Sequence, residues 1–412
     1  MLFGAVSAVA VLVHGYLWLR LVRDTTRPGR WRRIGTTVMV LLAVLLVSAL
    51  VVSRLWSPQA AAVVAWPGYI WLALLMYLVL LLLVAELPKW FIRRGSRRVP
   101  VAAAAAGSAP LERDPVPVDP PAEPVGLDPV DPEPVDLGRR LVVARGFAVA
   151  AGVASAGIVG TGMVSALGRP DLLRVPIGLR GLHADLVGFR IAVVSDIHLG
   201  PILGRRHCER VVRMINETRP DLVAIVGDTV DGSVDDLRHS VEPLRDLVSA
   251  EGAFMVTGNH EYYSGVLPWL TEFERLGIDT LRNERTTITR GAGRFDLAGI
   301  NDVNGRGYED GPDLDRALAG RDTSAPVVLL AHQPVQVRDA AKADVDLQLS
   351  GHTHGGQLYP FHHVVALAQP AVAGLSKVDN TWLYVTRGAG FWGTPVRVGA
   401  PPDITVVELG PV

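Results

Sequence analysis

An α/β fold standing behind a set of membrane helices is what the sequence predicts, and three observations predict it. Long uncharged runs fill most of the first 170 residues. After residue 185, short β-branched runs alternate with helical stretches, the pattern of helices covering the outer faces of β-structure. Five of those short runs close on Asp, Asn or His.

The apolar excess comes first along the chain. Of 412 residues, 49% are hydrophobic, and most of the surplus precedes residue 170, so a bilayer is its expected surrounding. Residues 1–19, 35–53 and 64–85 contain no Asp, Glu, Lys or Arg. A helix needs roughly 20 apolar residues to cross the hydrocarbon core. The second and third runs meet that length. The first reads as a span or a signal peptide, although it lacks a basic N-terminal region and an Ala-x-Ala cleavage pattern. A fourth helix is expected over 139–168, with its apolar part from Gly146 to Leu167. It is rich in Gly and Ala and reads as a weakly hydrophobic span, the alternative being a buried helix of a soluble domain. Gly152, Ala156 and Gly160 give it a small-xxx-small face for packing on another span.

Orientation follows the basic residues. Arg20, Arg23, Arg27, Arg30, Arg32 and Arg33 lie between the first two runs. Lys89, Arg93, Arg94, Arg97 and Arg98, then Arg139, Arg140 and Arg145, lie between the third and fourth. The short loop between runs two and three has only Arg54. Basic loops stay in the cytoplasm, so everything after residue 170 is expected on the outer side of the cell membrane. Residues 99–138 are Pro-rich and acidic, a stiff solvated linker that cannot bury a core. Arg139 and Arg140 ahead of an apolar helix read in two ways. They are ordinary positive-inside flanking, or an internally placed signal for the twin-arginine export machinery.

Charge and cysteine usage close off other classes. The net charge of −1 gives no basic face for nucleic acid. Cys208 is the one cysteine, so neither an intramolecular disulfide nor a thiolate zinc cluster can form. Any metal must be held by His, Asp, Glu or Asn.

In the second half, strands are expected at 190–195, 222–227, 254–258, 294–300, 326–331, 345–351, 381–386 and 403–409. Helices are expected at 205–218, over most of 234–250, and at 268–277. The polar residues gather where these strands end. Asp196 and His198 follow the first ("SDIHLG"), Asp228 the second ("GDTVDG"), and Asn259 and His260 the third ("GNHEYY"). His332 follows "VVLLA", and His352 and His354 follow "LQLSG". Sites in open α/β sheets form outside the carboxyl ends of strands.

Taken in order, D-x-H, G-D-x-x-D, G-N-H-E, a lone His and G-H-x-H resemble the calcineurin-like metallophosphoesterase superfamily over roughly residues 188–410. "GNHEYYSG", "LSGHTHGGQLYPF" and "RGAGFWG" look most like its bacterial exported or membrane-anchored phosphodiesterase branch, which includes UDP-2,3-diacylglucosamine pyrophosphatase-like members. The resemblance implies a four-layer α/β/β/α sandwich over 185–412 and two divalent metal ions, Mn, Zn or Fe. By the same resemblance, Asp196, His198, Asp228 and His354 hold one metal. Asp228 bridges, and Asn259, His332 and His352 hold the second. His260 lies beside the phosphate as the catalytic residue.

The residue types suit that chemistry. Imidazole, carboxylate and carboxamide favour Mn, Fe or Zn. Two ions about 3.5–4 Å apart clamp a phosphate and lower the pKa of a shared water. A positioned imidazole can protonate the leaving oxygen. Purple acid phosphatases, which share much of the pattern, have Tyr where Asp231 stands here. Tyr262, Tyr263, Trp269, Phe391, Trp392 and Arg387 are candidates to contact substrate, or are ordinary packing and surface residues. Glu261 is expected to support a ligand rather than act as an acid. The expected function is hydrolysis of phosphodiester or pyrophosphate bonds, with lipid-linked phosphates as substrates near the membrane. A membrane sensor or scaffold with an inactive domain is the rival.

Overall fold

Residues 2–95 and 137–412 are described by the structure, a computed structural model. The greater part of the expected linker over 99–138 lies outside the described residues. Four long helices come first: α1 (Leu2–Leu17), α2 (Arg30–Leu55), α3 (Pro58–Gly95) and α4 (Leu137–Leu167). Within α2, α3 and α4, the stretches Arg30–Ser53, Pro58–Glu86 and Leu141–Leu167 are long and apolar enough to cross a membrane. α1 has 16 residues, about 24 Å at 1.5 Å each, short of the ~30 Å core. A π-helical turn carrying Arg20 and Arg23 continues it.

One expectation about α4 is corrected. Gly152, Ala156 and Gly160 do not form its packing face: Ala156 and Gly160 are exposed, and nothing approaches the Gly152 or Gly160 Cβ positions. The buried stripe is Ala151, Ser155, Val159 and Ala166. Helix positions four apart share a face, and this face meets α3 and the loops of the following domain. The close-packed glycine is Gly162, whose absent Cβ would fall 2.5 Å from Val396 and 3.2 Å from the Arg397 carbonyl.

The rest of the chain builds two sheets. The first contains β1 (Asp171–Leu179), β2 (Arg190–Val194), β3 (Leu222–Val226), β4 (Ala253–Val256), β5 (Ile278–Thr280) and β12 (Asp403–Pro411). Its order is β1-β12-β2-β3-β4-β5. The second contains β6 (Glu284–Arg290), β7 (Gly293–Gly299), β8 (Val327–Leu330), β9 (Leu347–Ser350), β10 (Gly374–Val378) and β11 (Thr381–Val385). Its order is β10-β11-β9-β8-β7-β6. β1 precedes the expected domain start at residue 185 and pairs with β12 along its whole length.

Side chains alternate across each strand, and here both faces are covered. Ile191, Val193, Leu222, Ala224 and Val226 point inward against Phe295, Leu297, Val328, Leu330, Leu347 and Leu349 of the second sheet. Ala192, Val194, Val223 and Ile225 point outward onto α5 (Arg205–Glu217), α6 (Val234–Val241) and α8 (Val266–Arg275). α7 (Asn259–Ser264) precedes α8. α9 (Leu314–Leu318) and α10 (Val337–Lys342) cover the second sheet, and α11 (His362–Val365) lies beyond β9. The layers are helix, sheet, sheet, helix, as expected. Strands buried on both sides read as continuous apolar runs, which is why β2, β3, β8 and β9 were visible in the sequence.

The domain rests against the helices. Leu358, Val396 and Val398 pack with Ala73, Tyr77, Val159 and Met163. The Tyr77 hydroxyl donates to the Tyr359 carbonyl at 2.9 Å, and the Arg397 N–H donates to the Gly162 carbonyl at 2.9 Å.

Candidate metal centre

Each expected ligand leaves a strand at the same edge of the sandwich: β2 delivers Asp196 and His198, β3 Asp228, β8 His332, and β9 His352 and His354. Asn259 opens α7 directly after β4. Asp196, His198, Asp228, His352 and His354 all have positive φ, between 50° and 70°. Non-glycine residues avoid that region, and strain of this kind gathers at functional sites. Gly258 shows how tightly the turns close: a Cβ there would stand 2.2 Å from Asp228 Oδ1.

Among the described residues three groups are tight enough to hold a metal ion: Asp196, His198 and His354; Asp228, His332 and His352; and His198, Asp231 and His260, which shares His198 with the first. The expected ligands fall in the first two. His198 and His354 face each other Nε2 to Nε2 at 3.0 Å, and His354 Nε2 is 3.3 Å from Asp196 Oδ1. His352 Nδ1 lies 3.2 Å from His332 Nε2. Asp228 Oδ2 stands between the clusters, 3.2 Å from His332 Nε2 and 3.9 Å from His198 Nε2.

The surroundings fit a cation. His332 Nδ1 is 2.8 Å from the Val226 carbonyl, so it carries the proton and turns the Nε2 lone pair inward. His198 Nδ1 is fixed in the same way by Asp231 Oδ1 at 2.8 Å. Outer partners of this kind orient metal-binding histidines. Asn259 Oδ1 is buried with no hydrogen-bond donor, as a carbonyl reserved for a metal would be. Asp196 and Asp228 are fully buried carboxylates, and buried charge calls for an opposite charge beside it. Burial opposes ionisation of Asp228, but His332 and His260, when protonated, hold its pKa well below the usual carboxylate range; a bound ion would supply that positive charge in place of the His332 proton.

Three neighbours hold this geometry. Glu261, expected to support a ligand, acts on the backbone around Asp228: its carboxylate accepts from the Asp228, Thr229 and Gly258 N–H groups at 3.0, 2.7 and 2.7 Å. Asp231 and Arg397 were not singled out from the sequence as holding the centre. Asp231 Oδ1 contacts His260 Nδ1 at 2.6 Å as well as His198. Its signal was the second Asp of G-D-x-x-D. Arg397 is 2% exposed. It donates to the His354 carbonyl at 2.7 Å, and its Nη2 lies 3.1 Å from His354 Nδ1. Nothing in "GTPVRVGA" marks that role.

His260 packs edge-on against His198, with ring centroids 4.7 Å apart. Burial disfavours its charged form, but the Asp231 and Asp228 carboxylates outweigh this and lift its pKa to about 9. Trp392, largely exposed, stands 6.2 Å from His260 between centroids, and Tyr263 stands at 5.5 Å. Two candidate substrate contacts are engaged elsewhere. Tyr262 is buried and its hydroxyl donates to Asp310. Arg387 Nε donates to Asp403 Oδ2 at 2.7 Å, which turns its charge into a structural ion pair. Trp269, on α8, is fully buried, and Phe391 packs on Ala166 and Leu203.

Comparison with known proteins agrees with this geometry. Residues 189–356 match the calcineurin-like phosphoesterase family. A transmembrane protein with a metallophosphoesterase domain from Danio rerio is 40% identical over 258 residues, covering 60% of this chain and 59% of that protein. An uncharacterized metallophosphoesterase from Helicobacter pylori is 40% identical over 253 residues, 61% of this chain and 66% of that one. Another from Campylobacter jejuni is 37% identical over 280 residues, 66% of this chain and 72% of that one. The chain thus spans 59% of the first of these relatives, 66% of the second and 72% of the third.

Proposed function

Because the chain belongs to the calcineurin-like phosphoesterase family, we propose that it is a membrane-anchored hydrolase of phosphodiester or pyrophosphate bonds with a dinuclear centre. The observation that carries this reading is Asp228 Oδ2 standing between two His- and Asp-lined clusters. In this reading Asp196, His198 and His354 hold one divalent ion, Asn259, His332 and His352 hold the other, and Asp228 serves both. Bound ions would polarise the phosphoryl group and supply an activated water.

The protein's own residues then position and protonate. Asp231 holds His260 by Nδ1, which leaves the other ring nitrogen to deliver a proton to the leaving oxygen. Trp392 flanks that path. No Ser or Cys nucleophile is required, and Cys208, the one thiol, is buried in α5. Lipid-linked phosphates, including nucleotide-linked lipids, are the substrates favoured by a centre beside membrane helices. The Arg-rich loops support a domain outside the cytoplasm, with export through the twin-arginine machinery as one route.

Asp228→Asn tests the reading. The variant is expected to lose hydrolysis of an artificial phosphodiester and to bind less metal at both positions. Wild-type turnover with full metal content would overturn it.

A further inference from the structure

We propose that residues 358–367, which follow the His352–His354 pair, lie within the lipid leaflet, so that the centre meets an amphiphilic phosphoester in the plane of the membrane. The immersion rests on α3 and α4 as spans, and the consequence for substrate rests on the hydrolytic reading above.

The first observation is chemical. No Asp, Glu, Lys or Arg occurs between Leu347 and Ser376. The early part of that stretch is buried β9, but the later part is surface. Tyr359, Phe361, Val364 and Leu367 are 55%, 51%, 52% and 87% exposed. His362 and His363 lie between Phe361 and Val364, but the large exposed side chains here are otherwise apolar and uncharged, and apolar surface gathered in one segment marks a contact with something apolar.

The second is the backbone. In lipid every N–H needs an internal acceptor. The Tyr359 N–H donates to the Val398 carbonyl, and those of His363, Val364, Val365, Ala366 and Leu367 all donate within the segment.

The third is depth. Arg20 and Glu86 pair at 3.1 Å and mark the charged end of the helix bundle. Tyr77, which binds the Tyr359 carbonyl, lies nine residues from Glu86 along α3, about 13–14 Å at 1.5 Å per residue. That is well inside a hydrocarbon core of ~30 Å. The contact therefore falls between the two membrane surfaces. The apolar surface is also continuous, since Leu358, Val396 and Val398 pack directly on α3 and α4.

The segment is joined to the rim of the centre. Gln357 Nε2 donates to the Trp392 and Thr394 carbonyls at 3.0 and 3.1 Å, and Trp392 faces His260. The Cβ position of Gly393, beside Trp392, lies 3.9 Å from the Tyr69 ring, which stands 17 residues from Glu86 along α3, about 25 Å, so an immersed 358–367 sets the opening near the outer headgroups, where a lipid phosphate already lies.

The test places a fluorophore on the full-length protein in phosphatidylcholine nanodiscs. Cys208 is buried, and burial pushes its thiol up to about 12, so an added cysteine is labelled selectively. Leu367→Cys is labelled with a nitrobenzoxadiazole dye, and Val364→Cys repeats the measurement. Asn380→Cys, exposed in the turn at the far end of β11, is the comparison. The expected result is blue-shifted emission at 367 and 364, quenched by at least about half with doxyl-labelled acyl chains, and neither effect at 380. Water-like emission at 367 and 364 overturns the proposal. Blue-shifted emission without lipid quenching also overturns it, and points to a protein cover, either a second copy or residues 96–136. Release of the protein by alkaline carbonate overturns spans and immersion together. Loss of hydrolysis alone, with quenching intact, would count against the hydrolytic reading and not the immersion.

Discussion

Asp231 contacts two imidazoles through one oxygen, His198 at 2.8 Å and His260 at 2.6 Å. In the proposed mechanism it couples the metal cluster to the proton donor. Asp231→Asn is expected to lower hydrolysis or metal affinity by about 10–100-fold, measured by metal titration and turnover on the same preparation. Loss of neither would show that His198 and His260 hold their positions unaided. His260→Ala should cost about 10²–10⁴-fold in rate while metal content stays near wild type. The loss should shrink for nitrophenyl esters, whose leaving group needs little protonation. An equal loss for good and poor leaving groups would assign His260 to phosphate binding instead. The proposed ligands were legible because each closes an apolar run, often at a glycine. Arg397 was not, because its contact with His354 spans 43 residues and leaves no local pattern.

Among elements, the strands that escaped the sequence reading share one property. β1, β5, β6 and β10 are the edges of the two sheets. An edge strand is covered less, so its composition is mixed: β6 is "ERTTITR", β10 is "GLSKV", and β5 is three residues long. β1 carries Pro176, a residue confined to edges because it cannot donate to a ladder. Helix α5 offers a separate test. His207 is buried, and burial followed by the Arg210 charge lowers its pKa to about 3. Unfolded, it titrates near 6.5. Between those values the unfolded chain binds the extra proton, so the contribution of neutral His207 is complete above pH 6.5. It falls as pH drops towards 3, by about 1.4 kcal/mol per unit. His207→Leu should flatten this slope. The measurement compares denaturation midpoints of metal-free wild type and variant at pH 7 and 4.5, and parallel losses would refute the assignment.

For the whole molecule, the Arg-rich loops predict that the C-terminal domain is outside the cytoplasm. A reporter fused after Val412 should be active only if it functions beyond the membrane, and activity of a cytoplasm-only reporter would refute the topology. That long apolar helices precede the α/β domain could be read from the sequence. How the domain seats on them could not, because Gly162 and Val396 meet by shape and not by any repeating pattern. That seat has a practical consequence. Cut free near residue 170, the domain would carry Leu358, Val396 and Val398 bare into water, side by side with Tyr359 and Phe361. Such a fragment is a poor colloid: it should clump or coat itself with surfactant. Detergent in its purification would then be a structural ingredient standing in for α3 and α4, and the choice of detergent should alter the shape of the catalytic rim.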